Sequence, residues 1–212
     1  MNRDRLHSLD AARGLAALSV VVWHWQHMYW MDGFAEVDRD SQPFYAILKP
    51  LYEAGFIGVD FFFVLSGFIF YWLYSAAVAR GQVSALRFSL ARFSRLYPLH
   101  LITLLLVVAL QAVRPADFVY PADSWADFAK QLLLVQSWTG IQDGSTFNGP
   151  AWSISVEVFL YVVFWLICRM RWGSSLYACL ALGAFGAAVA FFSPTIGQAI
   201  GGFFLGGAMY HV

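Results

Sequence analysis

Six apolar runs, each close to the length a helix needs to cross a bilayer, constrain this chain more than any other feature. They cover roughly residues 13–31, 56–75, 97–114, 151–168, 175–192 and 196–212. A helix rises ~1.5 Å per residue and needs ~20 residues to cross ~30 Å of hydrocarbon. Only 12% of the 212 residues are charged, whereas soluble domains carry about a quarter. Hydrophobic residues make up 60% and aromatics 18%, more apolar surface than a soluble core of this size could bury. Lipid must be the solvent for much of it. The expected fold is all-α, a polytopic transmembrane bundle of about six spanning helices. No repeat, low-complexity tract or linker divides residues 1–212, so they read as a single domain. A seventh run, Ala129 to Trp138, is too short to span and reads as interfacial or re-entrant. The glycines of "GQAIGGFFLGGAMY" predict close helix packing in the last span.

Loop charges give an independent check on the spans. Arg3, Arg5 and Arg13 precede the first span, Arg80, Arg87, Arg92 and Arg95 follow the second, and Arg169 and Arg171 follow the fourth. The other loops carry Asp32, Glu36, Asp38 and Asp40, then Asp117, Asp123, Asp127 and Asp143. Arginine on every second loop places the N-terminus in the cytoplasm. A cleavable signal is argued against by "HWQH" after the first apolar run, which lacks the small residues of a cleavage site. The balance of 13 basic and 13 acidic residues leaves no footprint for nucleic acid. Cys168 and Cys179 lie in apolar stretches without metal-ligand spacing and read as core residues; no metal site is expected.

Ionisable residues inside spanning helices are functional candidates, because inserting them costs several kcal/mol unless they are paired. From the expected span ends, His24 lies ~10 Å, Asp60 ~6 Å and Glu157 ~9 Å in from the outer side. Three helices thus place titratable groups in one layer. Arg13 and His24 are nearly three turns apart on one helix face, ~16 Å along it. Asp10, three residues before Arg13, pairs with it. In "RFSRLYPLH", Arg92 and Arg95 share a helical turn, and paired guanidiniums suit a phosphate; the plainer role is a positive-inside anchor. His24 could equally hydrogen-bond a neighbouring helix, and Asp60 could cap the second span. Glu157, well inside its helix, has no capping use. His27 and Gln26 read as interfacial, and His100 is given no role.

Together, "LDAARGLAALSVVVWH", "GVDFFFVLSGFIF", "RFSRLYPLH" and "FNGPAWSISVEVFLY" closely resemble, in order, blocks of the acyltransferase-3 family of integral membrane O-acyltransferases. The blocks spread from residue 9 to about 164. The resemblance implies transfer of acyl groups, commonly acetyl from acetyl-CoA, to hydroxyls of sugars and other envelope or secreted molecules. It implies His24 as catalytic base, Arg13, Arg92 and Arg95 as acyl-CoA contacts, and Glu157 as the acidic position of a later motif, after Trp152 and Ser153. Asp60 and Ser66 belong to the second block, and Asn148 to the fourth. The family usually has about ten spans, so the chain is expected to be incomplete at its C-terminus.

The expected mechanism docks cytoplasmic acyl-CoA phosphates on the arginines while His24 deprotonates an acceptor hydroxyl, with Glu157, or else Asp60, orienting the imidazole. No bound cofactor is needed; acyl-CoA is a substrate, a glycan is the foremost acceptor, and a bacterial inner membrane is the expected location. Two rivals stand beside this: a proton-coupled transporter using the buried His, Asp and Glu, and a truncated, non-catalytic scaffold.

Overall fold

The computed structural model describes residues 7–31, 36–113, 124–138, 147–173 and 175–212. Arg3, Arg5, Asp32, Asp117, Asp123 and Asp143, which carry part of the loop-charge pattern, lie outside them. The chain divides into two compact units, residues 1–62 and 63–212. The described residues are overwhelmingly helical.

In the first unit, α1 runs from His7 to Trp25 and passes into a 3-10 turn, Gln26–Tyr29. It begins six residues before the expected span and gives way earlier, because hydrogen bonding follows helix-forming residues rather than the hydrocarbon boundary. Two short strands, β1 (Trp30–Met31) and β2 (Glu36–Val37), pair antiparallel. Helix α2, Tyr45–Ala54, packs against α1. Gly55 lets them approach: a Cβ there would collide with the carbonyl oxygens of Ser19 and Leu51. Ser19 Oγ donates to Ala16 O at 2.8 Å and to Gly55 O at 3.3 Å. The unit ends within α3, Ile57–Phe70.

In the second unit, the chain continues from α3 through a π-helical turn, Tyr71–Ser75, into α4, Ala76–Ala79. Ser75 Oγ donates to Tyr71 O at 2.5 Å within this widened turn. Helix α5, Ala85–Val113, follows, then α6, Trp125–Leu133. A 3-10 turn, Gly149–Ala151, opens α7, Trp152–Arg169, and α8 (Leu176–Val189) and α9 (Pro194–Tyr210) form a closely packed pair.

Among the described residues, three helices are long and apolar enough to cross a membrane: Ile57–Ala79, Ala85–Val113 and Gly149–Arg169, of 23, 29 and 21 residues. The chain is an integral membrane helical bundle. The fifth and sixth expected spans appear as helices of 14 and 17 residues. The break between them falls where Pro194 opens α9, since a proline disfavours helical geometry in the residue before it. Helix α5 starts twelve residues before the expected span. Its arginines are good helix formers, and Pro98 removes only one backbone donor.

The core of this unit is aromatic, with Phe70, Tyr71, Phe88, Phe164, Phe203 and Phe204 all buried. Glycine contacts bring α9 against its neighbours, as the sequence predicts. A Cβ on Gly67 would overlap Phe203 O, and one on Gly186 would strike the Gly201 backbone. Gly67→Val is expected to destabilise the bundle by roughly 1–3 kcal/mol, the usual cost of overpacking. Thermal unfolding in detergent checks this, with Gly14→Val, an exposed helical position with nothing within 4 Å of the added Cβ, as the comparison.

Helix α6 has its own N-terminal lock. Ser124 Oγ accepts from Asp127 N at 3.1 Å and donates to Asp127 Oδ2 at 2.6 Å, and Lys130 Nζ lies 2.9 Å from Asp127 Oδ1. Ser124 and then Lys130 hold the Asp127 carboxyl below its ordinary value of 3.8. A lowered carboxyl stabilises the fold above its unfolded pKa and loses that effect as the pH falls through the folded one. Hydrogen exchange over residues 125–130 is therefore expected to be constant from neutrality to about pH 4 and, after correction for intrinsic rates, to accelerate below it. In Asp127→Asn that acid-specific acceleration should vanish.

Candidate active site

On α1, the His24 ring is oriented by its own helix. Nδ1 lies 2.8 Å from Val20 O. A carbonyl only accepts, so in the neutral ring Nδ1 carries the hydrogen and Nε2 keeps its lone pair. The Trp23 ring stands edge-on at 4.7 Å, and the His27 ring at 5.1 Å. A backbone carbonyl thus orients the imidazole through Nδ1. Eleven residues before His24 on the same helix, Arg13 Nη1 lies 3.8 Å from Asp10 Oδ1. The expected pair exists, but its side chains are 38% and 63% exposed, so water screens it. Asp60 stands half-buried in the first turn of α3, where the helix dipole favours a carboxylate.

In the second unit, Arg92 is turned onto aromatic rings. Its guanidinium carbon lies 5.0 Å from the Phe70 ring centre and 4.7 Å from that of Tyr74, and Nη2 donates to the Tyr74 hydroxyl. Phe70 stacks on Tyr161 at 4.9 Å and 17°. Tyr74 is six residues, about 9 Å, from Arg80, and Tyr161 is eight residues, about 12 Å, from Arg169. The Arg92 cation therefore sits roughly 10 Å inward of the terminal arginines, turned onto aromatic rings. The Nε of Arg92 is buried without a hydrogen-bond partner among the described residues. Arg95 is exposed.

Glu157 belongs to the same cluster. Tyr161 donates its hydroxyl to Glu157 Oε1 at 2.5 Å, one turn along α7. A line of contacts thus runs from Arg92 through Phe70 and Tyr161 to Glu157. The other expected residues stand apart. Asn148 Nδ2 donates to Thr103 Oγ1 at 3.0 Å, Trp152 packs on Phe63 at 6.3 Å, Ser153 Oγ donates to Pro150 O at 3.3 Å, and Ser66 is half-buried beside Gly67. Among the described residues no three His, Cys, Asp or Glu side chains converge as a metal would require. Cys168 and Cys179 are buried and free.

Residues 6–212 match the sequence profile of an acyltransferase domain, that of acyltransferase-3. The chain belongs to the acyltransferase-3 family. "Acyltransferase MdmB" of Streptomyces mycarofaciens is 37% identical to it over 172 residues, which cover 78% of this chain and 40% of that one. "Protein 2 in picA locus" of Rhizobium radiobacter is 29% identical over 184 residues, covering 81% and 84%. The chain thus spans about two fifths of MdmB's length. No solved structure matches. In this acyltransferase-3 chain the four sequence blocks lie on α1, α3, α5 and α7.

Sequence reasoning missed Phe70, Tyr74 and Tyr161, the aromatic surroundings of Arg92 and Glu157. The i, i+4 spacing of Glu157 and Tyr161 was a usable signal. Tyr161→Phe is expected to cost roughly 1–3 kcal/mol of stability, because it removes a donor from a half-buried carboxylate. A double-mutant cycle with Glu157→Gln, followed by thermal unfolding, should give a coupling of about 1 kcal/mol or more.

Proposed function

We propose that this chain is a membrane-embedded acyltransferase that moves an acyl group, acetyl first among them, from acyl-CoA to a hydroxyl of a carbohydrate or other envelope or secreted acceptor. The observation that carries this reading is the His24 ring, held by Val20 O with Nε2 left basic. The sequence relation to a named acyltransferase supports it. Nε2 takes the acceptor's proton as its oxygen attacks the thioester carbonyl carbon. The resulting tetrahedral centre collapses with cleavage of the C–S bond. The departing CoA thiolate is then protonated, and the imidazolium is its nearest proton source. Atoms and charge balance without a metal or a covalent enzyme intermediate.

Arg92 is assigned to the phosphates of the donor. A guanidinium with a plane fixed on two rings offers a fork that lysine lacks. Arg95 and Arg13 supply further positive charge at the face where the donor arrives, which the loop charges assign to the cytoplasm. Glu157, tied to Tyr161 beside Arg92, contributes a fixed negative charge on α7. A bacterial inner membrane fits this use of a cytoplasmic donor and an envelope acceptor.

His24→Ala and His24→Gln are each expected to lower kcat at least about 100-fold with little change in donor KM, the usual scale of general-base loss. Wild-type turnover in a normally inserted His24→Ala chain would remove the base role. For the donor contact, Arg92→Lys should raise acyl-CoA KM roughly tenfold or more while leaving the acceptor KM alone. An unchanged donor KM would return Arg92 to a packing role.

A further inference from the structure

Helix α6 ends inside the bundle. Its terminal carbonyls lack the next turn of helix to accept from, and at membrane depth they cannot turn to water. Two of them are met from α5. His100 Nε2 lies 2.8 Å from Gln131 O, and the Tyr97 hydroxyl lies 3.0 Å from Leu132 O. The Gln131 carbonyl requires that Nε2 carry the hydrogen in a neutral ring. Lys130 O and Gln131 O also accept the N–H groups of Val135 and Leu134. Leu134 reaches this geometry by taking a left-handed φ of 58° with its side chain fully buried.

Tyr97 and His100 lie about 24 Å and 20 Å along α5 from its Val113 end, so the segment dips far into the bundle and is re-entrant. They occupy a face of α5 turned well away from that of Arg92 and Arg95. Beyond Leu134 the chain climbs to the start of α7. Gln136 Nε2 donates to Ala151 O at 3.1 Å, Ser137 N to Ser155 Oγ at 3.2 Å, and Trp138 Nε1 to Ser155 O at 3.0 Å. Ser155 is fully buried, two residues before Glu157.

We propose that Tyr97 and His100 are positioning residues: capping the buried end of α6 seats the 131–138 tip, which sets the turn of α7 that presents Glu157. The catalytic half of this rests on the acyltransferase reading above; the seating half does not. One helix, α5, then carries the donor arginine on one face and the clamp for the re-entrant tip on another.

The test combines hydrogen exchange and steady-state kinetics on the full chain in lipid nanodiscs, for His100→Leu, His100→Asn and Tyr97→Phe. His100→Leu is expected to speed exchange in peptides covering 131–138 at least tenfold and to lower kcat about tenfold with donor KM unchanged. His100→Asn, which keeps a donor, should recover most of both, and Tyr97→Phe should show a smaller loss of each. Unchanged exchange in both His100→Leu and Tyr97→Phe overturns the clamp. Faster exchange with unchanged kcat overturns the positioning of Glu157. If the wild-type chain transfers no acyl group, the acyltransferase reading fails, and the exchange arm alone still decides the clamp.

Discussion

A polar backbone group in hydrocarbon must find its partner within the protein, and much of this structure follows from that single demand. It makes the chain helical. It also explains where side chains are spent. Ser75 returns to Tyr71 O in the π turn, Thr103 to Leu99 O and His100 O, and Ser19 to Ala16 O. Tyr97 and His100 close the end of a helix that stops inside the bundle. The same economy gives His24 its direction, because a second hydrogen bond to the Val20 carbonyl fixes the ring.

Charge is handled differently. Arg92 is the clearest case. It rests on the faces of Phe70 and Tyr74, which stabilise a cation without neutralising it. Placed some 10 Å inward, where the surroundings are less polar than water, its field is screened less than at the surface.

The sequence shows much of this and hides the rest for physical reasons. Hydrophobic length located the helices, and motif order located His24, Arg92 and Glu157 on them. Helix ends were less legible. Arginine-bearing turns extend α5 through residues that no hydropathy count would include, and Pro194 shortens the segment before α9. The depth of Arg92 depended on two rings from another helix, so nothing on its own segment revealed it. His100 received no role because its partner is a backbone carbonyl, and any residue at position 131 would supply one. Gln131 O became special only through the break in α6.

Transfer itself is the most direct test of the account. Membranes containing the chain, incubated with acetyl-CoA carrying a carbon-13-labelled acetyl group, should yield envelope glycan fragments heavier by one labelled acetyl group replacing a hydroxyl hydrogen. The His24→Ala chain, inserted to the same level, should yield none above background. Labelled product in equal amount from both chains, or in neither while a solute crosses the membrane unchanged, would contradict it.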